Sequence, residues 1–200
     1  MAGNGWPRAA GGSELVRRRE LSEASGTRSA VGTLAISVRR ATPSDAPALA
    51  ELVNRAYEAE RGFVDGDRTN ATEIAELTLR GAFLVLEHDD GLAAAIFVEG
   101  RGTAAYFGML AVQPELQGMG LGTRLVRIAE AMGEAMGASL MTLRIVNLRE
   151  ELHRWYRSLG YRDVGTAPYE HRPVKRPCHF IDLAKPLPLA TGVSVALGAA

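Results

Sequence analysis

The sequence predicts a mixed α/β domain of the α+β kind, with a mostly antiparallel central sheet of about seven strands flanked by about four helices and splayed near Pro114. Three observations lead there. Two apolar β runs, Ala82 to Glu87 and Leu92 to Val98, are joined by His88-Asp89-Asp90-Gly91, and Asp-Gly between such runs is a strong hairpin signal. A third run, Thr103 to Val112, follows the turn Gly100-Arg101-Gly102 and extends the hairpin into a meander. That run leads into Gln117-Gly118-Met119-Gly120-Leu121-Gly122, after which Leu125, Val126, Ile128 and Ala129 recur at helical spacing and Leu140 to Val146 forms a further strand, a unit that needs a parallel crossover.

The remaining elements follow in order. Met1 to Thr33 is rich in Gly, Ala, Ser and Arg and reads as a tail, and so does residue 188 onward. Order is expected over 34–187, starting with a strand around Ile36, Val38 and Arg39. Thr42-Pro43-Ser44-Asp45 then combines a cap, a proline in the first turn and an acid three residues on, so a helix should run to about Glu60 with Leu49, Leu52, Val53 and Ala56 on its buried side. Asn70 and Glu73 have the spacing of a second capping box, opening a short helix through Leu79 that Gly81 ends. Pro114 cannot donate to a ladder, which places the end or divergence of its strand there. The helix after the glycine turn is expected from Gly118 to about Met136. Arg149 to Leu159 reads as a helix through Leu152, Trp155, Tyr156 and Leu159, and the strands Tyr161 to Val164 and His179 to Leu183 flank a polar loop, Thr166 to Pro177.

Composition narrows the function classes. With 23 basic and 23 acidic residues the chain has no net charge, which recommends neither nucleic acid nor an anionic membrane as partner. The start of the chain lacks the apolar core of a signal peptide and no apolar run approaches a membrane span, so a cytoplasmic location is the expectation. Cys178 is the only cysteine, which excludes an intramolecular disulfide, and no Cys/His cluster has metal-ligand spacing. Between Asp45 and Arg80 the acids outnumber the arginines eight to four, either a solvated face or a mouth that attracts cationic amines.

Strand, glycine turn, helix is an arrangement that binds phosphate, because the missing side chains admit a ligand to the backbone and the first free N–H groups of the helix point at it. A purely structural tight turn is the alternative. Leu110-Ala111-Val112-Gln113-Pro114-Glu115-Leu116-Gln117-Gly118-Met119-Gly120-Leu121-Gly122 resembles the acyl-CoA-binding motif of the GNAT N-acetyltransferase superfamily: Gln or Arg, two residues, Gly, one residue, Gly or Ala. Asn147 and then Trp155-Tyr156-Arg157-Ser158-Leu159-Gly160-Tyr161 stand after it, similar to the family's Asn…Tyr-x-x-x-Gly-Phe/Tyr signature. The resemblance covers roughly Ile36 to Leu187.

The resemblance implies that the main chain of Gly118, Met119, Gly120, Leu121, Gly122 and Thr123 cradles the pyrophosphate of acetyl-CoA next to Gln117, with Arg124 a helper. It implies that Leu110, Ala111 and Val112 pair with the pantetheine arm, and that the Val112 N–H polarises the thioester carbonyl. Asn147 either bonds the pantetheine or fixes the start of the next helix. Tyr156 matches the family's proton donor to the departing thiolate, a role that suits a phenol neutral at pH 7. An alkylamine acceptor, with a pKa of about 10.4, must lose a proton, and the base is not fixed by motif: Glu60, Glu170, His171 or a water are candidates. The expectation is direct ternary-complex acetyl transfer to a small-molecule amine or amino acid by a monomer or homodimer, with neither metal, membrane nor nucleic acid involved. A protein or peptide N-acetyltransferase and a non-catalytic acyl-CoA sensor are the alternatives.

Overall fold

A computed structural model describes residues 36–88 and 91–188; the segments expected to be tails lie outside the described residues, Pro188 excepted. Seven strands form one sheet: β1 (Ser37–Arg40), β2 (Ala82–His88), β3 (Gly91–Arg101), β4 (Ala104–Val112), β5 (Leu140–Val146), β6 (Arg162–Pro168) and β7 (His179–Pro186). They lie side by side in the order β1-β2-β3-β4-β5-β7-β6. Every pairing is antiparallel except β4–β5, which is parallel and is connected through a helix. Four helices flank the sheet: α1 (Ala46–Ala56), α2 (Ala71–Arg80), α3 (Leu121–Ala135) and α4 (Glu150–Ser158).

The central strands are buried on both faces, which explains why β2 and β3 read as continuous apolar runs. On one face Phe83, Val85, Ala95 and Phe97 pack against Leu49, Leu52 and Val53 of α1 and Ile74 of α2. The alternate residues Leu84, Leu86, Ala94, Ile96 and Val98 meet Leu121, Leu125, Val126 and Ala129 of α3 on the other. Each large side chain so buried contributes about 2 kcal/mol of transfer free energy.

Local chemistry sets the boundaries. The Asp45 carboxylate accepts from the Thr42 N–H at 2.7 Å and from the Thr42 hydroxyl at 2.9 Å, and the chain passes through a short 3-10 turn, Pro43–Asp45, into α1. Asn70 Oδ1 accepts from the Glu73 N–H at 2.9 Å, capping α2 as expected. The Glu73 carboxylate does not return to Asn70; it takes the Thr69 hydroxyl at 3.0 Å and Arg172 at 3.2 Å. The first helix stops at Ala56, short of Glu60, and a 3-10 turn, Glu58–Gly62, follows. The helix after the glycine turn starts at Leu121, later than Gly118, because Gly118 and Gly120 adopt φ of 78° and 81°, outside the right-handed helical region.

The sheet splays, but earlier than Pro114. β4 pairs with β5 only through Ala104, Ala105 and Tyr106, opposite Leu140, Met141 and Thr142. Beyond Tyr106 a bulge bends β4 away: Phe97 faces Gly108 and Ala95 faces Ala111, so Met109 and Leu110 together oppose Ile96. Met109 takes φ of 48°, a left-handed value that costs a non-glycine residue about 1 kcal/mol or more. Pro114 opens a 3-10 turn, Pro114–Leu116, after the strand has already diverged.

Candidate active site

The gap between the diverging strands is the mouth of a cleft of about 510 Å³. One end is built by the glycine turn. Leu110, Val112, Gln117, Gly118, Gly120, Leu121, Gly122 and Thr123 all line it. Ala111 and Met119 do not: the Ala111 methyl packs in the core on the α1 side, and Met119 is 58% exposed. Arg124 is exposed and lies outside the lining.

Two sets of backbone donors face this end. The first intrahelical bond of α3 is Arg124 N–H to Gly120 C=O at 3.0 Å, so the N–H groups of Leu121, Gly122 and Thr123 precede the ladder. Gly120 occupies the N-cap with no side chain to satisfy them. They leave the positive end of a 15-residue helix open to an anion. On β4, Gln113 N–H donates to Ala93 C=O at 2.9 Å, and because strand groups alternate in direction, the Val112 N–H points the other way, into the gap that β5 has vacated. The Gln117 amide reaches the Val112 carbonyl at 3.4 Å.

Tyr156 stands in the wall between the two ends. α4 carries it beneath the sheet, where its ring packs at 4.6 Å from Trp155, 5.9 Å from Phe107 and 5.9 Å from Tyr161, centroid to centroid. The residue is 4% exposed, yet its hydroxyl has no protein hydrogen-bond partner and no buried polar side-chain atom among the described residues is left unsatisfied; the oxygen therefore opens onto the cleft it lines. Burial pushes this phenol well above its ordinary range, with the Tyr57 and Tyr106 phenols adding and Arg149 opposing. Trp155, partly buried against the core, also lines the cleft, against Gly122.

The other end is assembled from distant segments: Tyr57, Glu60 and Arg68 from the stretch after α1, Tyr106 from β4, Arg144 from β5, Arg149 before α4, and Tyr169 and Phe180 around the last loop. Tyr106 lies flat over Gly108, where a side-chain carbon would fall 2.7 Å from its hydroxyl. Glu60 is 8% exposed and accepts from Arg149 at 3.3 Å. Burial raises its pKa, against the opposing fields of Arg68 and Arg149. Glu170 and His171 are exposed and outside the lining, although the His171 ring packs edge-on to Tyr169 and tilted against Phe180, with centroids at 5.9 and 5.3 Å. Burial and the nearby Arg68, Arg144 and Arg172 lower the His171 pKa. Asn147 does not fix the start of the next helix: its Oδ1 accepts from the His179 N–H at 2.9 Å, tying β5 to β7, while Arg149 stands at the N-cap of α4.

Two loops close this end. A β-bridge joins Val64 to Val174, flanked by Asp65 N–H to Pro173 C=O at 3.0 Å and Lys175 N–H to Phe63 C=O at 2.9 Å. Phe63 and Val64 pack beneath it with Val146 and Phe180. The acidic excess of the first half does not form the mouth: Asp45 pairs with Arg39, Asp65 with Lys175, Asp67 with Arg61 and Glu73 with Arg172, and of the eight acids only Glu60 reaches the cleft. Cys178 is half-buried, and burial raises its thiol pKa. The sequence reading missed Tyr57, Arg68, Tyr106, Arg144, Arg149 and Tyr169; no motif spacing links them, since they come from separate elements.

Residues 80–163 match the sequence model of the acetyltransferase (GNAT) domain. None of the curated proteins matches the chain. Among solved structures, the chain is similar in fold to the ribosomal-protein-S18-alanine N-acetyltransferase from Escherichia coli, with 18% identity, coverage of 80% of this chain and 98% of that one, and a TM-score of 0.66. The yncA protein from Salmonella typhimurium, solved with its cofactor acetyl-CoA, is similar at 18% identity over 76% of this chain and 94% of that one, with a TM-score of 0.62. The IAA acetyltransferase from Bacillus cereus is similar at 22% identity over 76% of this chain and 100% of that one, with a TM-score of 0.58.

Proposed function

We infer that this chain, whose residues 80–163 match the GNAT acetyltransferase domain, moves acetyl from acetyl-CoA directly to the primary amine of a small molecule. One observation carries this reading: a single cleft joins an uncapped helix N-terminus, the strand amide of Val112 and the Tyr156 phenol to a second end walled by bridged loops.

Each group has a task that its surroundings favour. The diphosphate of the donor would accept from the free N–H groups of Leu121, Gly122 and Thr123, with the turn from Gln117 through Met119 to Gly120 carrying the backbone around it. The pantetheine would add along Leu110 to Val112 like a strand, Ala111 contributing main chain only. Asn147 would act on that arm indirectly, by holding β5 to β7. The amine nitrogen attacks the thioester carbonyl carbon, and the oxygen that becomes anionic accepts from the Val112 N–H. As the C–S bond breaks, the sulfur keeps the electron pair and takes a proton from the Tyr156 hydroxyl, which burial holds neutral. The amine proton goes to Glu60, directly or through water; of the three candidate bases it is the one that lines the cleft.

The bridged loops support a small acceptor, since a peptide would need them apart. A phenol lining the cleft speaks against a sensor without catalysis. The test is a panel of amines and amino acids incubated with acetyl-CoA, with CoA thiol release and acetylated product both measured. Product formation that Tyr156→Phe suppresses is expected; transfer to peptides alone, or to nothing while acetyl-CoA binds, would overturn the reading.

A further inference from the structure

The second end of the cleft carries arginines to which acetyl transfer itself gives no task. Arg68, Arg144 and Arg149 line the cleft together with Glu60 and Glu151, one positive charge in excess. Two of the three arginines are committed: Arg144 to Asp182 at 2.7 Å, and Arg149 to Glu151 at 2.5 Å and Glu60 at 3.3 Å. Arg68 has no carboxylate within ion-pair distance among the described residues, and its guanidinium lies 5.5 Å from the centroid of the Tyr57 ring.

Arg68 is also held in place. Arg172 donates to its carbonyl at 3.2 Å, and the next residue is clamped to Asn54 in both directions, Thr69 N–H to Asn54 Oδ1 at 3.0 Å and Asn54 Nδ2 to Thr69 C=O at 2.9 Å. The acids before it are turned away, Asp65 to Lys175 and Asp67 to Arg61. An arginine held by its main chain on the wall of a cleft, its guanidinium in ion-pair contact with no carboxylate among the described residues, is arranged for an anion that arrives with a ligand. It stands by the loops that close the second end, away from the glycine turn, so that anion belongs to the acceptor and not to CoA.

We propose that the acceptor is a small amine that also carries a carboxylate, an amino acid in chemical class, and that Arg68 is the specificity residue that binds this carboxylate. The proposal rests on the acetyltransferase reading of the same cleft. An acceptor of this kind presents its ammonium group to Glu60 and its anion to Arg68, opposite charges matched to opposite charges.

The test uses the full chain with acetyl-CoA and amino acids, each paired with its carboxamide, plus an aminosulfonate and an aminoalkyl phosphate to separate the anionic groups. The wild type should prefer the acids over their carboxamides by at least about tenfold in kcat/KM. Arg68→Ala should lower that preference by about 10- to 100-fold, chiefly through KM, the range for losing one charge-assisted hydrogen bond, and Arg68→Lys should restore part of it. Acids and carboxamides used equally by the wild type, a preference unchanged in Arg68→Ala, or better use of the sulfonate or phosphate overturns the proposal. Transfer to uncharged amines but to no amino acid overturns it too, while leaving the acetyltransferase reading intact. A lack of acetyl-CoA binding would instead bring down that reading.

Discussion

Tyr156 separates packing from chemistry within one side chain. Its ring is held by Trp155, Phe107 and Tyr161, while its oxygen has no protein partner. Tyr156→Phe therefore removes the proposed proton donor and keeps the packing. It should lower kcat by about 100-fold or more, the scale of general acid catalysis, with thermal midpoint and acetyl-CoA affinity little changed; equal activity in steady-state assays would remove the phenol from the mechanism. Glu60 makes a complementary prediction in pH. Burial raises its pKa, and a base works only when ionised, so kcat/KM should fall as pH is lowered through a value above the ordinary carboxylate range of about 4.3. Glu60→Gln should flatten that acidic limb in a pH–rate profile. Tyr156 and the glycine turn were legible in the sequence because each sits in a short motif with fixed spacing. Glu60 stood only as one of three candidate residues, since which of them lines the cleft depends on tertiary contacts such as its bond to Arg149, far along the chain, and the Arg68 and Tyr106 positions gave no signal.

At the scale of elements, the site is the end of one helix set beside the edge of one bent strand. Leu121, Gly122 and Thr123 open α3, and the absence of a capping side chain leaves its dipole available. Thr123→Glu tests this in two directions at once. An acid in the first helical turn favours the helix by about 0.3–1 kcal/mol, yet it repels a diphosphate bound at the same amides. The variant should unfold at the same or a higher temperature in differential scanning fluorimetry while losing the acetyl-CoA-dependent shift; a retained shift would move the phosphate site elsewhere. Strand, turn and helix were each readable from apolar period and glycine spacing. The place where the sheet opens was not. Pro114 marked the end or divergence of its strand, and the strand does end just before it, at Val112, but the sheet opens earlier, at a bulge whose left-handed residue is Met109, and a methionine gives no warning of positive φ. The insertion of β7 between β5 and β6 was equally silent, because period-2 patterning identifies strands and not their neighbours.

Across the whole molecule, stability and ligand binding depend on how the two sides of the splayed sheet are tied. At the β1 edge, Arg39 bridges Asp45 at 2.8 Å and Glu87 at 2.9 Å, joining β1, the turn before α1 and β2. The hydrogen bond from Arg39 holds the Asp45 carboxyl below the usual range, burial opposes it, and Thr42 assists. A depressed carboxylate stabilises the fold above its unfolded pKa of about 3.9 and loses that contribution as pH falls through its folded value. Asp45→Asn should therefore cost stability at neutral pH, and the gap from the wild type in urea melts should narrow under strong acid; a constant gap would mean that Asp45 acts through shape and not charge. Across the gap itself, β4 and β5 share only three paired positions, and the donor would span the opening from α3 to α4. Ligand bound only to the folded state at a hundredfold excess over its Kd stabilises by about 2.7 kcal/mol. For a chain of this size that corresponds to a rise of roughly 5–10 °C in thermal midpoint. The rise should grow with the logarithm of acetyl-CoA concentration and be nearly as large with CoA, since most of the proposed contacts are to the diphosphate and pantetheine. No shift at millimolar acetyl-CoA would mean that the open sheet edge and the uncapped helix are not a donor site.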